Sequence, residues 1–246
     1  MADHLRLKLE HCVRLSADDR ARLGALERIN IRHVPSGRDI VREGERPAFV
    51  NLILDGWAIR HKMLVDGRRQ ILAFLIPGDM CDPNIYLLNE MDHSIGALTE
   101  VTVAQILRET FEDINESSLR LAQAFDWDLL VQLAIQREWT INLGQRSAIE
   151  RIAHLICELF ARLNAVGLCA QGSCHIPITQ TDLSEATGIT PVHVNRILQE
   201  LRSEQLIEWK GREVHVADMG ALKRVAMFND NYLHLHKEGA HVDANG

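Results

Sequence analysis

Residues Ser117 to Leu143 contain neither glycine nor proline, whereas the stretch from Ile29 to Leu107 meets a turn signal about every dozen positions. In that earlier stretch short apolar runs alternate with "PSG", "REGE", "LDG", "VDG" and "PGD", and Gly44, Gly56, Gly67 and Gly78 mark the turns. Such spacing predicts the short strands of an all-β barrel or sandwich. Asp66-Gly67, between two β-rich runs, predicts a hairpin, and "ILAFLI" is apolar on both faces, as a buried strand must be. Strands first and helices afterwards make an α+β chain.

The glycine-free stretch repeats apolar residues at three- and four-residue steps: Leu119, Ala122, Phe125, Leu129 and Leu133, continuing to Gln136 and Trp139 or Thr140. That is one stripe on one long helix. A helix of this length commonly pairs with its copy, so Leu119, Ala122, Phe125, Leu129 and Leu133 are expected to form a dimer seam. The competing expectation is a helix packed only on its own barrel. A second helix follows, with Ile149, Ile152, Ile156, Leu159 and Leu163 on its buried face and Gly167 as its stop.

"TQTDLSEATGITPVHVNRILQEL" then compresses two helices into 23 residues, Thr179 to Leu201. Thr179 with Asp182 makes a capping-box pattern. Gly188 permits the left-handed turn that ends the first helix. Thr190 caps the second, and Pro191 suits its first position, where an N–H is not needed. Val194, Ile197, Leu198 and Leu201 form a buried face, which makes the pair a helix-turn-helix. "LIEWKGREVHVAD" reads as strand, turn and strand with Lys210, Gly211 and Arg212 at the tip, the wing of a winged module. In that geometry the second helix enters the major groove of double-stranded DNA. Arg196 offers the planar fork that matches guanine, with Asn195 and His193 as further base-edge readers. Thr179, Gln180, Thr181 and Thr190 lie at helix starts, where phosphate is favoured, and Lys210 and Arg212 can hold phosphate from the wing. The alternative, a merely solvated polar face, does not account for the wing or the glycine turn.

These segments resemble the CRP/FNR family of bacterial transcription regulators. "DGWAIRHKMLVDGRRQILAFLIPGD" resembles their sensory β-roll, "GQRSAIERIAHLICEL" the helix entering their DNA domain, and "ITQTDLSEATGITPVHVNRILQELRSEQLIEWKGREVHVAD" their winged helix-turn-helix. The likeness runs from about Leu15 to Leu235. It implies a cyclic-nucleotide-binding-like β-roll (jelly roll) with an N-terminal helix over 1–112, a long dimerisation helix over 113–143, a winged helix-turn-helix over 144–235 and a tail over 236–246. It also implies a homodimer on an inverted-repeat promoter site, with RNA polymerase as a further partner. Arg196 matches the family's base-reading arginine, but Val192 stands where many members carry glutamate, so their target sequence does not transfer.

Members that bind cyclic nucleotides carry a Gly-Glu pair after "PGD" and an Arg-Ser pair further on. Here Asp82-Pro83 and His93-Ser94 occupy those places. A phosphate needs a guanidinium that His93 does not supply, so cyclic AMP and cyclic GMP are not expected as effectors. The alternative is a nucleotide-responsive regulator with an atypical pocket. Cys81, Asp82, His93 and Ser94 are the candidate effector residues. Cys12 is alone near the N-terminus, so no iron–sulfur cluster is expected, and no other cofactor is expected either.

Composition enters as a limit. The net charge of −7 forbids arguing for nucleic acid from overall charge. "MADHLRLKLEHCVRLSADDR" has no apolar core of a targeting signal, and no apolar run is long enough to span a bilayer, so a cytoplasmic protein without a membrane partner is expected. Five cysteines, Cys12, Cys81, Cys157, Cys169 and Cys174, are oddly spaced and expected to be reduced thiols. "CAQGSCH", Cys81 with His93, and the tail histidines His234, His236 and His241 have metal-ligand residue types without metal-ligand spacing, so no metal site is expected. A cupin-type metal enzyme is the alternative from another class. In the barrel His33, His61 and His93 are isolated and form no HxH pair, which argues against it, and no enzyme activity is expected.

Overall fold

The computed structural model describes residues 3–235. Two compact units are present among them: residues 3–62 and 73–133 with 234–235, and residues 63–72 with 134–233. The tail histidines His236 and His241 fall outside the described residues.

The N-terminal unit begins with helices α1 (His4–Leu9) and α2 (Ala17–Leu26). Ser16 starts α2 with a reciprocal capping box to Asp19. Strands β1 (Ile31–Val34), β2 (Asp39–Val41), β3 (Phe49–Asp55), β4 (Ala58–Met63), β5 (Arg69–Leu75), β6 (Met80–Cys81), β7 (Ser94–Ala97) and β8 (Val101–Leu107) follow. They form two four-stranded sheets, β1-β8-β3-β6 and β2-β7-β4-β5. Alternation along β8 shows how the layers are built. Val101 and Val103 enter a cluster with Val34, Ile53, Ala58 and Ile95. Ala104 and Ile106 point the other way, into a cluster with Leu5, Leu9, Leu23 and Leu26 of the N-terminal helices and Phe111, Leu121 and Phe125 further on. Period-two patterning on a sheet covered on both faces produces these two cores.

Helical structure resumes at α3 (Arg108–Ser117) and α4 (Leu119–Gly144). The expected single helix from 113 is therefore two helices, broken at Ser118, whose backbone is extended at φ −139°. The physical reason is local: the Ser118 hydroxyl donates to Asp19 (2.8 Å) and accepts from the Leu121 N–H (3.3 Å), which starts a new helix.

In the C-terminal unit, α5 (Ala148–Ala165) opens with a capping box from Ser147 to Glu150. Next come a hairpin of β9 (Cys169–Ala170) and β10 (Ser173–His175), then α6 (Gln180–Thr187), α7 (Pro191–Ser203), β11 (Glu208–Lys210), β12 (Glu213–His215) and α8 (Met219–Val225). The four strands make one sheet in the order β11-β12-β10-β9. Helix α5 is buried nearly all round from Ile152 to Phe160, not on one stripe, and its buried residues include His154 and Glu158. Glu158 accepts hydrogen bonds from Trp139 Nε1 (3.1 Å), Tyr232 Oη (3.0 Å) and Arg162 (3.4 Å). Burial pushes its carboxyl pKa upward against those donors.

One expectation fails here. Cys169 and Cys174 are joined by a disulfide. The pair sits directly across the β9–β10 hairpin with Cα atoms 4.5 Å apart, so the turn brings the sulfurs together despite the irregular spacing along the chain. "CAQGSCH" is thus a cross-linked hairpin. Cys12, Cys81 and Cys157 are free thiols. Among the described residues no cluster of three metal-ligating side chains occurs, and no helix is long and apolar enough to cross a membrane.

Candidate nucleic-acid interface

The two helices of the motif are set by their ends. The Thr179 hydroxyl accepts from the Asp182 N–H (3.2 Å) and donates to the Asp182 carboxylate (2.6 Å), which also takes the Thr179 N–H (2.9 Å). Both donors of Thr179 are consumed by this box, so Thr179 organises the helix start and has none left for phosphate. Gln180 and Thr181, next in line, are exposed. Gly188 ends α6 at φ 68°, the left-handed conformation that the turn requires. The Ser184 hydroxyl closes the turn on the Ile189 carbonyl (2.6 Å), and Arg151 of α5 donates to the Thr187 carbonyl. Thr190 caps α7 by accepting from the His193 N–H (3.3 Å), with Pro191 in the first turn. Its own hydroxyl hydrogen stays free for an acceptor.

Val194, Ile197, Leu198 and Leu201 of α7 are buried, which turns the opposite face outward. Asn195 and Arg196 are exposed on that face and His193 is half-buried beside them. Arg196 Nη2 lies 3.0 Å from His193 Nε2. Val192, at the head of the helix, is 82% exposed. Lys210 and Arg212 are exposed at the β11–β12 turn, where Gly211 adopts φ 61°. Lys210 pairs with Glu208 at 2.9 Å on the same strand, an exposed contact that salt weakens. The exterior of α7, the two helix starts and the wing tip thus carry guanidinium, amide and ammonium donors turned to solvent, as a duplex reader requires.

The dimer-seam expectation is corrected on α4. Phe125 is 4% exposed and packs into the N-terminal core, so it cannot meet a second copy. Ala122 and Leu129 are half-buried. The large apolar residues in solvent are Leu119, Leu130, Leu133, Ile141 and Leu143. Leu119 and Leu133 of the expected seam are thus free, and Leu130 and Ile141, at helical spacing from Leu133, are exposed where Phe125 is buried and Leu129 half-buried.

In the β-roll, the candidate effector residues are brought together only in part. Asp82 and His93 meet at 3.0 Å, and His93 Nδ1 lies 2.7 Å from Asp92. Both ring nitrogens therefore face carboxylates, which suits the imidazolium. Burial works to lower the His93 pKa, but Asp82 and then Asp92 outweigh it and raise it. Arg60 of β4, outside the expected effector set, donates to the other oxygen of Asp82 (2.8 Å). The Asp82 carboxyl is held below the usual carboxylate range: burial pushes it up, but His93 and Arg60 prevail. Ser94 instead accepts from the Glu43 N–H (2.9 Å). Cys81 is buried in the inner core, where burial pushes its thiol pKa far up. An arginine inside the apolar run of "WAIRHKM" was the available signal for Arg60.

From Arg60 a polar chain leads to the long helix. Arg60 also faces Gln132 Oε1 (3.4 Å), Gln132 donates to Asp128 (3.1 Å), and Lys8 of α1 bridges Asp128 (2.6 Å) and Asp79 (2.7 Å). Asp128 is 1% exposed, so a cation at Lys8 is the compensation its burial demands.

Comparison with known proteins gives a consistent picture. Residues 150–225 match the Crp-like helix-turn-helix domain, and residues 31–118 match the cyclic nucleotide-binding domain. The transcriptional activator protein FnrL of Cereibacter sphaeroides is 26% identical over 217 residues, covering 86% of this chain and 85% of FnrL. The nitrogen fixation regulation protein FixK of Bradyrhizobium diazoefficiens is 29% identical over 187 residues, 76% of this chain and 78% of FixK. The solved structure of FixK2 from Bradyrhizobium japonicum superposes with a TM-score of 0.71 at 23% identity, over 80% of this chain and 96% of that one, a likeness of fold.

Proposed function

The chain belongs to the CRP/FNR family of transcription regulators, and on that premise we propose that it works as a homodimer on an inverted-repeat promoter site. The observation that carries this reading is the outward face of α7, where Arg196, Asn195 and Val192 stand free of the core while Gly188 ends α6 and Thr190 caps the start of α7. Arg196 is the guanine reader. Val192 replaces a polar contact with an apolar one, which suits a thymine methyl. Gln180, Thr181 and Thr190 meet phosphate from the helix starts, and Lys210 and Arg212 from the wing. The second copy covers Leu130, Leu133 and Ile141, which places two α7 helices one helical turn of DNA apart. Such a regulator acts in the cytoplasm, with RNA polymerase as the partner it recruits or obstructs.

Cyclic AMP and cyclic GMP are not its effectors. Arg60 already holds Asp82, and His93 already lies between two carboxylates, so a phosphodiester entering there would have to compete with Asp82 and Asp92 for cations already engaged. A ligand moves an equilibrium only through differential affinity for the two states. The signal that does act reaches α4 through Gln132 and Asp128.

Genome-wide mapping of bound sites tests the proposal. The expected outcome is an inverted repeat with half-sites about one helical turn apart, whose preference at one base pair per half-site is lost in Arg196→Ala. Binding without a repeat, or an unchanged motif in Arg196→Ala, overturns it.

A further inference from the structure

Of the five cysteines, only Cys169 and Cys174 are bonded. Burial pushes the Cys157 thiol up to about 12 and the Cys81 thiol further still, which leaves both inert as nucleophiles at neutral pH. The bonded pair is differently placed. Cys174 is 1% exposed, but Cys169 is only partly buried, on the edge strand β9. The turn between them, Gln171-Gly172, has positive φ at both positions, 50° and 74°, the tight two-residue form that aligns its strands.

What this hairpin holds is the wing. Strand β10 pairs with β12 from Ser173 opposite His215 to His175 opposite Glu213. At one end the Ile176 N–H donates to the Arg212 carbonyl (2.7 Å), and at the other the Val216 N–H donates to the Gly172 carbonyl (3.0 Å). The wing strand is thus held at one end by Gly172, inside the loop the disulfide closes, and at the other by Ile176, two residues beyond Cys174 on the chain leaving β10; the residue bonded there, Arg212, is one of the two wing cations.

We propose that Cys169–Cys174 is a reversible thiol–disulfide site that sets the order of the wing. The DNA-binding half of this proposal rests on the reading of the wing given above. An external dithiol, small-molecule or protein, supplies the reducing equivalents. Its thiolate attacks the accessible Cys169 sulfur, the sulfur–sulfur bond to Cys174 breaks, and the Cys174 thiolate takes up a proton. The second thiol of the dithiol, losing its proton, attacks the mixed disulfide and releases the Cys169 thiolate, which is protonated. Two electrons have moved, the protein holds two thiols, and the dithiol has become a disulfide. Reduction removes the cross-link from the edge of the sheet, so β9 frays and the register that clamps β12 loosens. The oxidised form has the ordered wing and grips phosphate more tightly.

The test uses the full chain in three forms: oxidised, reduced with dithiothreitol, and Cys169→Ser, which spares the buried Cys174 position. Thiol titration after denaturation is expected to give three thiols in the oxidised protein and five in the reduced one. Amide exchange at Ile176, Val214 and Val216 is expected to quicken about ten-fold on reduction, because opening the hairpin no longer works against a cross-link. Affinity for a random-sequence duplex at fixed salt is expected to fall about three- to ten-fold with a shallower salt slope, as one phosphate contact weakens. Cys169→Ser should behave as the reduced form whatever the redox buffer, and Cys12→Ser should respond as the parent does. Five thiols in air-purified protein, or equal exchange and affinity in both redox states, overturns the proposal. Redox-dependent exchange with no duplex binding in either state overturns the DNA-contacting role of the wing and not the chemistry of the pair.

Discussion

On α7, Arg196 and Asn195 stand in solvent beside Val192, whereas Arg60, Asp82, His93 and Asp92 of the N-terminal unit close on one another within hydrogen-bond distance. The two regions hold similar chemical groups in opposite conditions. A DNA reader must keep its donors unspent until the duplex arrives, so its residues contribute little to folding. A cluster whose donors and acceptors are matched internally contributes to folding and resists a charged visitor. Stability and binding should therefore respond to different halves of the molecule.

The largest expected effect tests whether the reading face works in pairs. Leu133→Glu, or Leu130→Glu, puts a charge on the free stripe of α4, where covering it in a dimer costs several kcal/mol. Sedimentation is expected to show a folded monomer, and operator affinity should fall by at least two orders of magnitude. An unaltered dimer would place the seam elsewhere.

The next pair of variants separates the two regions directly. Arg196→Ala is expected to lose about 1–3 kcal/mol of binding per half-site while its melting curve stays within about 0.5 kcal/mol of the parent. Arg60→Ala should do the reverse at its own site. It leaves Asp82 without its guanidinium, and unfolding is expected to become easier by about 2 kcal/mol. Loss of stability in Arg196→Ala of the size seen in Arg60→Ala would erase the contrast.

Two histidines give a smaller, pH-dependent test. His93 has a folded pKa raised above the ordinary 6.5, so its contribution is fully present below 6.5 and is lost as pH rises through the folded value. His154 is pushed down to about 3, by burial first and by Arg146 second. The unfolded chain takes its proton at about 6.5 and the folded one does not, so stability drains away as pH falls from 6.5 towards 3. Titration followed by histidine NMR is expected to show His93 above and His154 below the ordinary value. Replacing His93 with glutamine should remove the alkaline loss and leave the acid one.

The smallest effect belongs to the wing. Lys210→Ala should weaken binding to all sequences alike and flatten the salt dependence by about one unit of slope. A change in sequence preference would move Lys210 into the base-reading set.

Local chemistry made most of the DNA-binding half legible in the sequence. Thr179, Gly188, Thr190 and Pro191 each act on backbone groups within a few residues, so their roles can be read from the chain without knowing what lies across from them. The strands from Ile31 to Leu107 were legible for a similar reason, because turns and alternation are local. Three things were decided only by tertiary structure. The stripe on α4 has two apolar faces one residue apart, and only packing against Leu23 and Phe111 chose Phe125 for the core and left Leu130 outside. The Asp82 carboxylate finds its cation from Arg60, 22 residues away, because β4 delivers it there and no spacing rule links the two. Cys169 and Cys174 look unremarkable as a spacing of five, and became a bond only because a two-residue turn set them opposite each other in register. Local interactions act over a few residues and leave periodic traces. Pairings across a fold depend on which surfaces meet, and those are fixed by the whole core at once.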